Sequence, residues 1–164
     1  MNHLVRLALA SLLLLAPPAP PSVGEASAQE ILPPGPVSEL VVETATGVYP
    51  FMVELADEPR ERAQGLMYRR EMARDQGMLF DMGVTRPAGF WMQDTYISLD
   101  IIFIGEDGLV KSMAERTEPL SEAVLESGEP VRFVLELVAG MARQIGLKRG
   151  DRVRHPSIEA VAGR

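Results

Sequence analysis

The sequence predicts an α+β, β-rich domain, an antiparallel sheet curled into a partial barrel and carrying two short helices. Three observations lead there. Short runs of β-branched and apolar residues recur from Leu40 to Arg154, turn signals punctuate them, and only two segments show helical spacing. No internal repeat is present, and many short strands with few helices point to an α+β arrangement.

Taken in order, Arg6 precedes an apolar run from Leu7 to Ala16, and the small triplet Ala26-Ser27-Ala28 follows a polar stretch. That order is expected of a secretory signal peptide over residues 1–28, cleaved after Ala28. A run of ten residues makes a helix of about 15 Å, too short for a hydrocarbon core of about 30 Å. Residues 29–37, with Pro33, Pro34 and Pro36 around Gly35, read as an extended, solvated tether. The domain itself is placed at residues 38–158, and 159–164 are expected to be a disordered tail.

Leu40-Val41-Val42 and Val48 to Leu55, separated by Thr46-Gly47, compose a hairpin. Asp57 is the expected cap of a helix that tolerates Pro59 in its first turn and stacks Ala63, Leu66 and Met67 on one side. Gly65 inside that pattern costs about 1 kcal/mol relative to alanine and signals a close backbone approach. Met78-Leu79-Phe80, Phe90-Trp91-Met92 and Leu99 to Ile104 read as three strands. Asp107-Gly108 then turns the chain toward Val110, the strongest hairpin signal present. An acidic loop from Glu115 leads to the strand Val131–Val138. A short helix around Met141 to Ile145 and a last strand near Asp151 to Arg154 complete the domain.

Composition narrows the function classes. The chain has 16 basic and 23 acidic residues and no cysteine. Removing residues 1–28 takes away Arg6 and Glu25, so the remaining 136 residues keep the net charge of −7. Phosphate backbones are repelled by such a balance, and no basic run exceeds two residues, so no nucleic-acid partner is expected. Thiol catalysis and thiolate metal sites are excluded outright, and a core of this length can bury about two-thirds of the unfolded surface without disulfides. Nine methionines bring a soft metal to mind, but no histidine accompanies them in a cluster, and adaptable core filling explains their number. No metal or cofactor is expected. Nucleophile elbows, phosphate loops, zinc spacings and calcium loops are missing from the sequence, and a serine triad would have to use His155.

Two carboxylates stand where carboxylates are costly, Asp100 in Leu-Asp-Ile-Ile-Phe-Ile and Glu136 in Phe-Val-Leu-Glu-Leu-Val. Strand alternation puts Asp100 with Ile102 and Ile104, and Glu136 with Val134 and Val138. A buried carboxyl must find a partner or become neutral, and such groups gather at functional sites as well as in structural ion pairs. Arg62, one residue from the apolar stripe of the first helix, is the expected counter-ion. Trp91, the single tryptophan, with Phe90, Met92 and Met67, is read as the apolar wall of a pocket whose polar groups are Thr95 and Asp100.

These residues lie in motifs that resemble a known family. Glu61-Arg62-Ala63-Gln64-Gly65-Leu66-Met67-Tyr68-Arg69, Gly77-Met78-Leu79-Phe80, Phe90-Trp91-Met92 with Thr95, Leu99-Asp100-Ile101, Val134-Leu135-Glu136-Leu137 with Gly140, and Gly150-Asp151 follow one another in its order. Over about Leu40 to Val153 the chain resembles the domain of unknown function 192 family. The resemblance implies a small β-rich fold, often behind a signal peptide, and brings no activity with it. The chain departs from the family pattern at Asp94, commonly asparagine, and at Ser98 and Val138, commonly proline.

The leading expectation is a soluble periplasmic small-ligand-binding or accessory module, with Arg62, Met67, Trp91, Met92, Thr95 and Asp100 around the ligand. Its partner would be an unknown small molecule or a periplasmic protein. One alternative is a hydrolase in which Asp100 and Glu136 divide acid and base roles, which requires carboxyls about 5 to 9.5 Å apart across a cleft. A third is an interaction module presenting the acidic loop from Glu115 to Glu129.

Overall fold

The computed structural model describes residues 31–163. The expected signal peptide lies outside them, as do Gln29 and Glu30 of the expected tether. Nine strands and three short helices follow one another: β1 (Val37–Thr44), β2 (Gly47–Ala56), α1 (Pro59–Gln64), β3 (Gln76–Arg86), β4 (Gly89–Phe90), β5 (Leu99–Ile104), β6 (Val110–Ala114), β7 (Leu125–Glu126), β8 (Val131–Val138), α2 (Met141–Gln144), β9 (Arg152–Arg154) and α3 (Pro156–Ala162).

Seven strands form one sheet in the order β6-β5-β8-β3-β2-β1-β9, while β4 and β7 pair separately. The large sheet is a half-barrel whose two edges meet at one corner. There Leu109 bridges Arg152, the Val110 N–H donates to the Asp151 carbonyl at 2.9 Å, and the Val110 carbonyl accepts the Gly150 N–H at 2.8 Å. The β-rich expectation holds with one correction: β2 and β3 run parallel, so the sheet is mixed. The cause is local. Residues 57–75 hold α1, and a helical crossover returns the chain to the same end of the sheet where a hairpin would reverse it.

Other boundaries shift for equally local reasons. β3 continues past Phe80 to Arg86 through an irregularity between Asp81 and Arg86. β4 stops at Phe90, because Trp91 and Met92 enter a turn closed by Thr95 N–H on the Met92 carbonyl at 3.1 Å. Residues 159–162, expected as tail, belong to α3, whose first turn accepts Pro156 and is capped by His155 Nδ1, which accepts the Ser157 N–H at 3.2 Å. Residues 31–36 have no regular element. The Leu32 backbone exchanges hydrogen bonds of 2.6 and 3.0 Å with the Gln64 amide, and Gly35 N–H donates to Glu54 Oε2 at 2.8 Å.

A strand buried on both faces reads as a continuous apolar run, and the neighbouring strands β5 and β8 are of this kind. One core, with Leu79, Ile102, Leu135 and Leu137, is covered by Met141, Ala142 and Ile158 of α2 and α3. The other, with Met78, Phe80, Ile101, Phe103 and Val134, is covered by Leu66, Ala88 and Met92 from the loops. Asp100 and Glu136 belong to opposite sides of this double core.

Candidate functional site

The register decides the relation between the two carboxylates. Asp100 stands opposite Leu137, and Glu136 stands opposite Ile101 on one side and Met78 on the other. Directly opposed residues share a face and sequential residues do not, so Asp100 and Glu136 point to opposite faces of the sheet. The two-carboxylate hydrolase arrangement is therefore corrected: the groups share no cleft.

Asp100 is fully buried, and its work is structural. Oδ1 accepts the Arg116 N–H at 2.9 Å and Oδ2 accepts the Ala142 N–H at 2.8 Å. Gly140, in the N-cap position of α2 with φ of 86°, has no side chain to offer the first turn. Asp100 supplies the missing acceptor from a neighbouring strand, satisfying one of the helix's free donors. Met92 is equally committed to packing. It lies in the second core, its sulfur accepting the Thr117 hydroxyl at 3.1 Å.

Four of the six expected ligand residues do come together. Arg62, Met67, Trp91 and Thr95 line a cavity of about 130 Å³, along with Phe80, Met82, Phe90 and Glu136. Met92 and Asp100 do not line it, and Glu136, read from the sequence only as half of a catalytic pair, takes the polar place expected for Asp100. Trp91 is 50% exposed beside the cavity, whereas Glu136 is 5% exposed within it.

Glu136 has no charged or hydrogen-bonding partner among the described residues, and burial alone pushes its carboxyl up to about 8. No side-chain oxygen or nitrogen among the described residues is both sealed from solvent and unpartnered, so the Glu136 oxygens open onto the cavity. The other polar groups there are occupied. Thr95 donates to the Gln93 carbonyl at 3.2 Å, and the Gln64 amide holds Leu32. Arg62 corrects an expectation as well: its guanidinium pairs with neither carboxylate and instead donates Nη1–H to the carbonyls of Asp57 and Asp81, the latter at 3.1 Å. Its charge acts on Asp81. That carboxyl meets a desolvation penalty, which is outweighed by Arg132 and the Gly83 N–H and keeps it below its usual range.

The loops that wall the cavity are held by strained backbone. Tyr68 and Asp94 are non-glycine residues with φ of 66° and 54°, and the Tyr68 N–H donates to the Asp94 carbonyl at 2.8 Å. The Tyr68 hydroxyl also donates to Asp94 Oδ2 at 3.3 Å, and the carboxylate's charge pushes the phenol above its ordinary value. Left-handed conformations at such residues cost energy that the surrounding structure must hold in place. Gly65 ends α1 with φ of 50°, and a Cβ there would lie 3.1 Å from the Phe80 ring. The close approach expected at this glycine is thus a cavity wall, and it also stops the helix before Leu66 and Met67. Sequence reading missed the Tyr68–Asp94 tie, although Asp94 had stood out as a departure from the family pattern.

The acidic loop is mostly exposed, Leu120 and Val124 included, and is anchored at a few points. Thr117 and Ser127 are buried, and Leu125–Glu126 pair with β4. Among the described residues no three histidine or carboxylate side chains cluster as a metal site, and no helix is long and apolar enough to cross a membrane.

The family model described as "Uncharacterized ACR", DUF192, matches residues 41–155, which include every motif around the cavity. The chain belongs to the DUF192 family. A Sinorhizobium meliloti 1021 crystal structure, named as that of a suspected transcription regulator, is 47% identical. That likeness covers 73% of this chain and 95% of that one, with a TM-score of 0.69. A protein of unknown function from Novosphingobium aromaticivorans DSM 12444 is 38% identical, covering 73% of this chain and 85% of that one at a TM-score of 0.71. No curated protein matches the chain. The DUF192 domain here thus carries one cavity-facing acid and one capping acid.

Proposed function

We propose that this DUF192 protein is an exported small-ligand-binding module whose site is the cavity between α1, β3, β8 and the loop from Phe90 to Thr95. One observation carries the reading: a deeply buried carboxyl without a protein partner opens onto a preformed space beside an exposed tryptophan. A polar group is costly to bury unsatisfied, and a concave apolar pocket with one such group is the usual form of a ligand site. A purely structural acid would resemble Asp100, with both oxygens on backbone donors. The net charge of −7 speaks against binding to a nucleic-acid phosphate backbone.

The test is a titration of Trp91 emission and melting temperature with small amines, carboxylates, amides and alcohols at millimolar concentration. A class that shifts both in the wild-type protein and neither in Glu136→Leu supports the site. Silence from every class refutes it. Export is tested separately by sequencing the N-terminus of protein recovered from the periplasm. A start at Gln29 is the expected result, and retention of residues 1–28 on a cytoplasmic protein would refute it.

A further inference from the structure

We propose that the group this cavity accepts is an alkylammonium, its charge met by the Glu136 carboxylate and its methylenes packed on Phe80, Phe90 and Trp91. The inference rests on the ligand-site reading above and names the chemistry of that same site.

Charge comes first. Of the polar side chains around the cavity, Gln64, Thr95 and Arg62 already hold backbone partners, the Trp91 indole is exposed to solvent, and Glu136 is the buried one that holds none among the described residues. The group that a ligand must satisfy is therefore an acid. Arg62 is the one cation along the lining, but its Nη1–H groups are spent on the Asp57 and Asp81 carbonyls, and burial is what acts on Glu136. The neighbours of Glu136 across the sheet, Met78 and Ile101, are uncharged. The remaining charges nearby are engaged elsewhere: Asp81 of β3 with Arg132, Asp94 with Tyr68, and Asp100 on the opposite face.

The walls agree with that sign. Three aromatic rings present π-systems whose faces carry partial negative charge, and Phe90 packs edge-on to Phe80 at 5.1 Å between centroids. Met67 and Met82 add polarisable sulfur. An organic cation gains from aromatic faces and from the acid together, an anion from neither, and a neutral alcohol only from the acid. The cavity of about 130 Å³ sets the size. A dry engineered cavity of about 150 Å³ holds benzene, so a head of roughly five heavy atoms fits here. Such a head exists on free amines and on lysine side chains, and Trp91 is half exposed at the cavity where a polypeptide carrying the lysine would lie.

The experiment is calorimetric titration of the 29–164 protein with n-butylammonium, 1-butanol and n-butyrate, in wild type and in Glu136→Gln. The expected result is at least about a tenfold preference for the ammonium over the alcohol, lost in Glu136→Gln. Because binding ionises Glu136, buffers of different ionisation heat should report about one proton released at pH 7, and affinity should rise about tenfold from pH 6 to 7. Equal or tighter binding of butanol or butyrate overturns the ammonium assignment and leaves the ligand site standing. A preference that survives Glu136→Gln also overturns it. No binding by any of the three, together with silence in the wider titration, removes both readings. Nα-acetyl-lysine-N-methylamide separates the sources: binding tighter than n-butylammonium assigns the group to a polypeptide, and equal or weaker binding assigns it to a free amine.

Discussion

Glu136→Gln should make the domain more stable, and increasingly so as the pH rises. The carboxyl titrates at 4.5 when unconstrained and is pushed to about 8 by burial in the folded protein. Between those values the folded state holds a proton that the unfolded state has lost. Stability contributed by this group is fully present below pH 4.5 and is lost as the pH climbs through 8. At about 1.4 kcal/mol per unit, the wild-type domain loses roughly 3 kcal/mol from this source between pH 5 and 8. Glutamine matches the shape and stays neutral, so the two proteins should be nearly equal at pH 5, with the variant roughly 3 kcal/mol ahead at pH 8. For a domain of this length that is a rise of about 10 °C in melting temperature. The assay is urea unfolding of both proteins at pH 5, 6, 7 and 8, taken as a difference so that Asp81, His155 and the other titrating groups cancel. Water admitted by the cavity reduces the magnitude without changing the sign. Parallel stability curves across that range would refute the argument, because they would mean that Glu136 is as easily ionised folded as unfolded.

Three other substitutions test the rest of the architecture. Asp100→Asn turns an amide donor toward either the Arg116 or the Ala142 N–H, and should cost about 2 to 4 kcal/mol in chemical denaturation, where an unchanged midpoint would refute the capping role. Burial lowers the His155 imidazole, which as the neutral form accepts the Ser157 N–H, so its contribution is present above pH 6.5 and lost as the pH falls through its folded value. His155→Asn keeps a capping acceptor without a titration, and should flatten the wild-type loss of stability between pH 7 and 5; an identical loss in the variant would refute the assignment. Gly65→Ala should cost about 1 to 3 kcal/mol by equilibrium unfolding, from the positive φ and the approach to Phe80, with no change counting against a strained wall.

Much of the sheet was legible because burial on both faces leaves a plain trace. The runs Leu99–Ile104 and Val131–Val138 became β5 and β8 at the expected bounds. The parallel joining of β2 and β3 was not legible, since strand composition is silent about direction and only the α1 crossover decides it. The turn at Trp91 was hidden for a related reason. Phe90-Trp91-Met92 is apolar throughout, and the backbone hydrogen bonds that end β4 come from Thr95 and Ser121, which no local pattern announces.

The candidate site was read in part for the same reasons. Arg62, Met67, Trp91 and Thr95, grouped in the sequence, line one cavity, because each flanks a loop or helix end beside an apolar run. Asp100 and Glu136 were indistinguishable, as both are single acids inside strands of matching composition. What separates them is one residue of register between β5 and β8, which sends one carboxylate to the two amides near α2 and the other to a cavity where no described group donates to it. A local pattern specifies which way a side chain alternates, but the identity of the partner on that side comes from loops distant in sequence. Gly140, lacking a side chain at an N-cap, was the one local sign that an acceptor had to arrive from elsewhere. With Asp100 occupied in that way, Glu136 is left as the acid whose burial the fold does not explain, and the chemistry of the cavity turns on what it binds.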